Sequence, residues 1–247
     1  MAQQRTAPKI VLAFDAYGTL LSTQSIADNL TSHFGPDQAQ TIATAWRRYQ
    51  LEYTWRMNSM NQYEPFSTLT LRSLTHALAD SHVSLDPEQT ELMMGAYDSL
   101  ACFPDVPELL TTLKNTPDVR AVIFSNGTQK MVASSVANCP YLSAHTECFE
   151  EIVSVDRVKK FKPAPEAYRH LAEQVGLDPD DVEQMERLWL VSGNPFDVVG
   201  ARAVGMSVIW VDRGAGGWRD ELVAGVAGRP TEIVGGLGEV VGTVVGV

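Results

Sequence analysis

The sequence predicts an α/β fold in which a doubly wound, mostly parallel sheet of Rossmann-like type carries an inserted all-helical cap domain. Strand and helix patterns alternate along most of the chain, and one long stretch has no strand signal at all. Short apolar runs suit strands buried on both faces of a parallel sheet, and they cover residues 9–14, 119–124, 187–191 and 206–211. Helical patterns between the later runs cover about residues 128–137, 165–175 and 195–204.

The stretch without strands, residues 22–103, is the predicted cap. Apolar residues at spacings of three and four predict one amphipathic helix over 37–60, after the Gly35-Pro36 break. Pro65 and Pro87 open two further helices. Their expected apolar faces are Leu71, Leu74 and Leu78 in the first, and Leu92, Met93, Ala96 and Leu100 in the second. Residues 1–21 and 104–247 then form the catalytic core.

Charge and composition limit the partners. The 247 residues carry 19 Lys and Arg against 30 Asp and Glu, a net charge of −11, which argues against nucleic acid and anionic membranes. No window approaches the ~18 consecutive apolar residues of a membrane helix, and residues 1–8 show no secretory signal. Cys102, Cys139 and Cys148 are scattered, so we expect reduced thiols in a cytoplasmic protein, with neither zinc site nor disulfide.

Polar residues follow the predicted strands. The first strand ends in Asp15-Ala-Tyr-Gly-Thr-Leu20 and the second in Ser125-Asn126-Gly127. Lys162-Pro163 follows a polar segment, and Ser192-Gly-Asn194-Pro-Phe-Asp197 follows the third run. Because ligands gather at the carboxyl ends of parallel strands, these groups are predicted to converge at one site.

Each of these signals has an ordinary structural explanation when it is taken alone. Asp15 could cap a helix, Asn126-Gly127 is a common turn dipeptide, and Lys162-Pro163 suits a surface loop. Arg47 could lie on the solvated face of the long cap helix. Their fixed order at strand ends has no single explanation of that kind.

The four motifs together resemble those of the haloacid dehalogenase superfamily, over the whole chain. Phosphatases of that superfamily carry a second Asp two residues after the first, where this chain has Tyr17, and paired carboxylates near Asn194 that hold Mg²⁺. The Asp-x-Tyr-Gly-Thr-Leu and Ser-x-Asn-x-x-Asp forms are similar to those of the L-2-haloacid dehalogenases. So is the cap segment Trp46-Arg47 followed by Gln50-Leu-Glu-Tyr-Thr-Trp55.

The resemblance implies a cofactor-free, metal-free hydrolase that acts on short L-2-haloalkanoic acids through an aspartyl ester, giving D-2-hydroxy acids. Asp15 would be the nucleophile, stabilised by Lys162, while Arg47 and Asn126 cradle the leaving halide. Asp197 would position or deprotonate the hydrolytic water. The remaining assignments are Ser125 for the substrate carboxylate, Tyr17, Leu51, Phe66 and Phe196 for its alkyl part, and Thr19, Tyr168, Ser192 and Asn194 as supporting hydrogen-bonding groups.

The chain departs from the family pattern at three positions: Arg48 stands in place of Gln, Phe196 in place of Trp and Gly193 in place of Ser. These changes affect the shape and charge of the pocket, and with Arg47 and Lys162 we expect Arg48 to add positive potential.

Three other functions stay open at this point. The same machinery could open the strained ring of azetidine-2-carboxylate, the chain could be a Mg²⁺-dependent phosphatase, or the fold could serve binding without catalysis. The resemblance also allows a homodimer formed through the cap.

Overall fold

The computed structural model describes residues 10–246, so the predictions for residues 1–9 and for Val247 lie outside the described residues. Its centre is a six-stranded sheet with the order β3-β2-β1-β4-β5-β6, in which every neighbouring pair is parallel. The strands are β1 Ile10–Asp15, β2 Val119–Ser125, β3 Ile152–Ser154, β4 Leu188–Ser192, β5 Ser207–Val211 and β6 Glu232–Val234.

The register of the sheet brings the predicted motifs to one edge. β1 lies between β2 and β4, and Asp15 pairs with Phe124 of the neighbouring strand. Since all three strands run the same way, their polar carboxyl ends are adjacent, and the predicted α/β fold is confirmed.

The edge strands β3 and β6 were not predicted. Each has only three residues, too few to show an apolar run, and β6 begins with the exposed pair Glu232 and Ile233. Strands of this length depend on pairing with a neighbour that the local sequence does not reveal.

Five α-helices lie between β1 and β2. The first four are α1 Gln24–Phe34, α2 Pro36–Ser59, α3 Phe66–Asp80 and α4 Pro87–Ala96. The long predicted helix matches α2 to within a residue at each end. No helix within residues 10–246 is both long and apolar enough to cross a membrane. The helices that follow are α5 Val106–Lys114, α6 Gln129–Asn138, α7 Pro140–Ser143, α8 Pro165–Gln174, α9 Val182–Glu186, α10 Pro195–Ala203 and α11 Val240–Val245.

The predicted apolar faces were wrong at Leu71 of α3 and at Leu92 of α4, because both side chains are exposed. Leu100, predicted on the second face, lies beyond the end of α4. The buried face of α3 includes the polar residues Thr70 and Ser73. Their hydroxyls donate to main-chain oxygens of Phe66 and Thr70 in the same helix, so they can be buried without an unpaired polar group.

The expectation of reduced thiols was wrong for two of the three cysteines. Cys102 and Cys139 form a disulfide with a Cα–Cα distance of 6.5 Å, and Cys148 is free. Leu21 and Cys102 form an isolated antiparallel β-bridge, and Cys102 meets Cys139 at the end of α6. The partners are 37 residues apart, so their proximity depends on the tertiary fold and not on sequence spacing.

Candidate active site

The site is centred on Asp15, the last residue of β1, which is 5% exposed. Its Oδ1 accepts a hydrogen bond from Lys162 Nζ at 2.8 Å. Its Oδ2 accepts from Thr19 Oγ1 at 2.9 Å and from Asn194 Nδ2 at 2.8 Å. One cation and two neutral donors therefore hold the carboxylate in a fixed orientation, as a nucleophile requires.

The loops after β1 and β4 are joined by hydrogen bonds beside this carboxylate. Thr19 Oγ1 also accepts from the Gly193 amide at 2.9 Å, and Asn194 Nδ2 donates to the Tyr17 main-chain oxygen at 3.0 Å. A Cβ on Gly193 would lie 2.7 Å from the main-chain oxygen of Gly18. Gly193, where the family pattern has Ser, therefore allows its backbone to approach the backbone of Gly18 closely.

Lys162 lies between two carboxylates, with Nζ 2.8 Å from Asp15 Oδ1 and 2.7 Å from Asp197 Oδ2. Burial alone lowers the pKa of a lysine, but the two carboxylates outweigh it and hold the pKa of Lys162 above its ordinary value. The ammonium group therefore stays charged at neutral pH.

Asp197 is fully buried near the start of α10. Burial raises the pKa of the Asp197 carboxyl, opposed mainly by Lys162. Tyr168 Oη donates to Asp197 Oδ1 at 2.8 Å, and burial next to that carboxylate raises the pKa of Tyr168 well above its usual value. A carboxylate with a raised pKa, held by a tyrosine that stays protonated, has the properties of a general base.

The main chain around Lys162 is held by two asparagines. Lys162 N donates to Asn126 Oδ1 at 2.8 Å, and Asn126 Nδ2 is 3.5 Å from the Lys162 oxygen. Asn58, at the end of α2, donates to the Phe161 oxygen at 2.6 Å and accepts from its amide at 3.0 Å. Asn126 thus supports the main chain of Lys162, and its predicted contact with a halide would use the second N–H of Nδ2.

The two predicted serines organise the turns that follow their strands. Ser125 Oγ accepts from the Gly127 amide at 3.0 Å, and Ser192 Oγ accepts from the Asn194 amide at 3.1 Å. The main-chain amide of Gln129, the first residue of α6, donates to Asp156 Oδ2 at 3.3 Å. The start of this helix therefore already binds one carboxylate of the chain, as its dipole favours.

Arg47 reaches the core from α2. Its Nη2 is 3.4 Å from the Tyr17 main-chain oxygen, and its Nη1 donates to Gln50 Oε1 at 2.7 Å. Within residues 10–246, no carboxylate forms an ion pair with Arg47. Its charge is therefore available to an anion in the site.

Aromatic rings line the apolar side. Tyr17 stacks on Phe66, with centroids 6.0 Å apart, and a Cβ on Gly127 would lie 2.8 Å from the Tyr17 ring. Phe196 packs edge-on against Trp55, and Leu51 is half-buried on α2. Burial raises the pKa of Tyr17, so this phenol stays neutral.

The expectation for Arg48 was wrong. Its side chain is exposed and lies over the ring of Tyr49, 4.8 Å from the centroid, away from the core. Successive helix residues are ~100° apart, so Arg47 and Arg48 point in different directions.

Asn58, Gly200 and Gln50 contribute to the site and were not predicted. Gly200 of α10 lies against Tyr168 and Pro163, and no local signal distinguishes it from another helical glycine. Gln50 binds Arg47, and its position three residues later in the same helix was a usable signal.

Comparison with known proteins identifies the family to which this geometry belongs. The model of the haloacid dehalogenase-like hydrolase family matches residues 11–205. The chain belongs to this family. It is 37% identical over 204 residues to an (S)-2-haloacid dehalogenase of Xanthobacter autotrophicus, covering 82% of this chain and 74% of the relative.

Other members of the haloacid dehalogenase-like hydrolases match along more of the chain. The (S)-2-haloacid dehalogenase H-109 of Pseudomonas putida is 36% identical over 230 residues, which is 92% of this chain and 94% of the relative. The solved L-2-haloacid dehalogenase of Xanthobacter autotrophicus, with chloropropionic acid covalently bound, superposes with a TM-score of 0.80 at 29% identity, covering 96% of this chain and 99% of that one.

Proposed function

We propose that this protein hydrolyses short L-2-haloalkanoic acids to D-2-hydroxy acids and halide. The observation that carries the proposal is the Asp15 carboxylate, fixed by Lys162, Thr19 and Asn194, with the unneutralised guanidinium of Arg47 nearby. The names of the relatives support the same chemistry, and one solved relative holds a covalently bound chloropropionic acid.

In the first step a carboxylate oxygen of Asp15 attacks C2 of the substrate. The new C–O bond forms as the carbon–halogen bond breaks, and the halide leaves with the bonding electron pair. Arg47 stabilises the negative charge that develops on the halide. A single displacement inverts C2, so an L substrate gives a D product. The product of this step is an ester on Asp15.

In the second step water attacks the carboxyl carbon of that ester. Asp197 accepts a proton from the water, and Tyr168 holds its carboxylate in place. Lys162, Thr19 and Asn194 already donate to the Asp15 oxygens, so they stabilise the charge of the tetrahedral intermediate. As the intermediate collapses, the bond between the Asp15 carboxyl carbon and the C2 oxygen breaks, and Asp197 returns its proton to that oxygen. The hydroxy acid is released, and one water-derived oxygen stays on Asp15.

The same geometry argues against a phosphatase. Tyr17 occupies the position of the second Asp, and Lys162 Nζ lies within hydrogen-bond distance of both Asp15 and Asp197, which places a cation between these two carboxylates. No acidic side chain other than these two contacts the ammonium group among the described residues.

The arrangement of domains, the oligomeric state and the location belong to the same proposal. Residues 22–103 act as the cap and residues 1–21 and 104–247 as the core of a cytoplasmic enzyme. A homodimer through the cap is supported by its exposed apolar side chains, which include Trp55, Met60 and Leu71. Light scattering of the purified protein measures this state directly.

The test is halide release from L-2-chloropropionate in the presence of EDTA. We expect turnover by the wild-type enzyme and none by Asp15→Asn, which keeps the shape of the side chain and removes its charge. Asp28→Asn, an exposed position on α1, is the matched control and should retain full activity. Halide release by Asp15→Asn would overturn the assignment of the nucleophile.

A further inference from the structure

Two polar side chains of the cap are buried beside the site without a role in the chemistry described so far. Gln50 of α2 and Thr70 of α3 are fully buried. Burying an amide or a hydroxyl is costly unless it is hydrogen-bonded. Gln50 Nε2 donates to Thr70 Oγ1 at 2.8 Å, and Thr70 Oγ1 donates to the Phe66 main-chain oxygen at 2.7 Å.

The direction of these bonds sets the orientation of the Gln50 amide. The Thr70 proton is used on the Phe66 oxygen, so Thr70 Oγ1 can only accept from its other neighbour. The NH₂ group of Gln50 must therefore face Thr70, and its carbonyl oxygen faces Arg47. That oxygen accepts from Arg47 Nη1 at 2.7 Å.

Arg47 depends on this acceptor for its orientation. Arginine has a long side chain with much rotamer freedom, and the other bond of its guanidinium, to the Tyr17 oxygen, is longer at 3.4 Å. A carboxylate at position 50 would orient the guanidinium equally well but would neutralise it. A neutral amide orients the group and leaves its charge for the halide.

We propose that Gln50 and Thr70 are positioning residues that aim the Arg47 guanidinium at the departing halide. The inference rests on the proposed dehalogenation. The hydrogen bonds from Arg47 through Gln50 and Thr70 form a relay that ends on the main chain of Phe66. Because the ring of Phe66 stacks on Tyr17, the relay connects Arg47 to the aromatic side of the pocket.

The kinetic test uses the leaving group as its readout. The value of kcat/KM reports steps up to ester formation, and chloride, the poorer leaving group, needs more stabilisation than bromide. In Thr70→Val we expect kcat/KM to fall about tenfold for L-2-chloropropionate and by a smaller factor for L-2-bromopropionate. In Gln50→Met we expect kcat/KM to fall further, by up to about 100-fold. Thr70→Ser keeps the hydroxyl and should restore the wild-type ratio of the two substrates.

The matched control is Thr54→Val. Thr54, which lies in α2, is also a fully buried threonine, and its hydroxyl donates to the Leu51 main-chain oxygen. This variant should keep the wild-type ratio of bromide to chloride substrates. The inference is overturned if Thr70→Val keeps that ratio as well, or if Thr70→Ser shifts it as much as Thr70→Val does.

A second measurement, NMR of the Arg47 guanidinium, requires neither substitution of Gln50 or Thr70 nor enzyme activity. In wild-type protein labelled with ¹⁵N-arginine, a guanidinium held by Gln50 rotates slowly and should show two separate Nη signals, assigned to Arg47 by their loss in Arg47→Lys. A single averaged Nη signal would overturn the inference. Failure of the wild type to release halide from either acid would instead overturn the proposed function, and the two failures are thus distinguished.

Discussion

Gly200 of α10 offers a direct perturbation of the proposed base, because it lies against Tyr168 and Pro163. A Cβ at this position would lie 2.5 Å from Pro163 Cβ and closer still to the Tyr168 hydroxyl oxygen. Tyr168 holds Asp197, and Pro163 follows Lys162 in the chain. Gly200→Ala therefore displaces the groups on both sides of the base without changing any reacting atom.

The size of the effect follows from these distances. Nonbonded carbon and oxygen atoms normally stay ~3.5 Å apart, so either Tyr168 or α10 must move by about 1 Å. Overpacking of this kind costs about 1–3 kcal/mol, and the better helix propensity of alanine offsets up to about 1 kcal/mol. We expect the free energy of unfolding to fall by about 1–2 kcal/mol, and ester hydrolysis to slow by about 100-fold.

The assay is rapid-quench measurement of halide and of hydroxy acid during the first turnover. In Gly200→Ala, halide should appear in a burst equal to the enzyme concentration, since Asp15 is untouched, and hydroxy acid should follow slowly. Gly95→Ala is the control, because Gly95 is exposed in α4 and a Cβ there meets nothing within 4 Å. Ester hydrolysis at the wild-type rate in both variants would contradict the role of Tyr168 in holding Asp197.

Three further predictions follow from the site and the fold. Asp197 must be deprotonated to act, and burial raises its pKa. Ester hydrolysis should therefore be lost as the pH falls, with a midpoint above the ordinary carboxyl pKa of about 3.9. The Tyr168 hydrogen bond lowers the pKa of Asp197, so Tyr168→Phe should move the acid limb of the pH–kcat profile upward, and a downward movement would contradict the assignment. Alkylation of the unreduced, denatured protein should label one thiol and alkylation after reduction three, whereas three labels in both cases would exclude the Cys102–Cys139 disulfide. Arg48→Gln should change kcat/KM by less than twofold, and a larger loss would show that Arg48 does reach the pocket.

The parts of the fold that could be predicted are those in which the local pattern and the tertiary structure agree. β1 is an apolar run because both of its faces are buried, and α2 shows spacings of three and four because one side packs on its neighbours. β3 is different, since its three residues form a strand only by pairing with β2. The buried face of α3 was misjudged because Thr70 satisfies its own hydroxyl within the helix.

The site likewise contains residues that the sequence could predict and residues that it could not. Asp15 ends β1, and Lys162 and Asp197 follow β3 and β4 in motif order, so sequence reasoning could find all three. The structure brings both carboxylates within hydrogen-bond distance of the Lys162 ammonium group. Gly200 and the Cys102–Cys139 disulfide depend on which helices meet in space. Nothing in the spacing of their neighbours carries that information.

Turnover in heavy-oxygen water, followed by mass spectrometry of the protein, detects the ester on Asp15. With enzyme in excess over L-2-chloropropionate, the first turnover should place one heavy oxygen in the peptide that contains Asp15 and none in the hydroxy acid. Heavy oxygen in the hydroxy acid, with an unlabelled Asp15 peptide, would mean that water attacks the substrate directly and that no ester forms on Asp15.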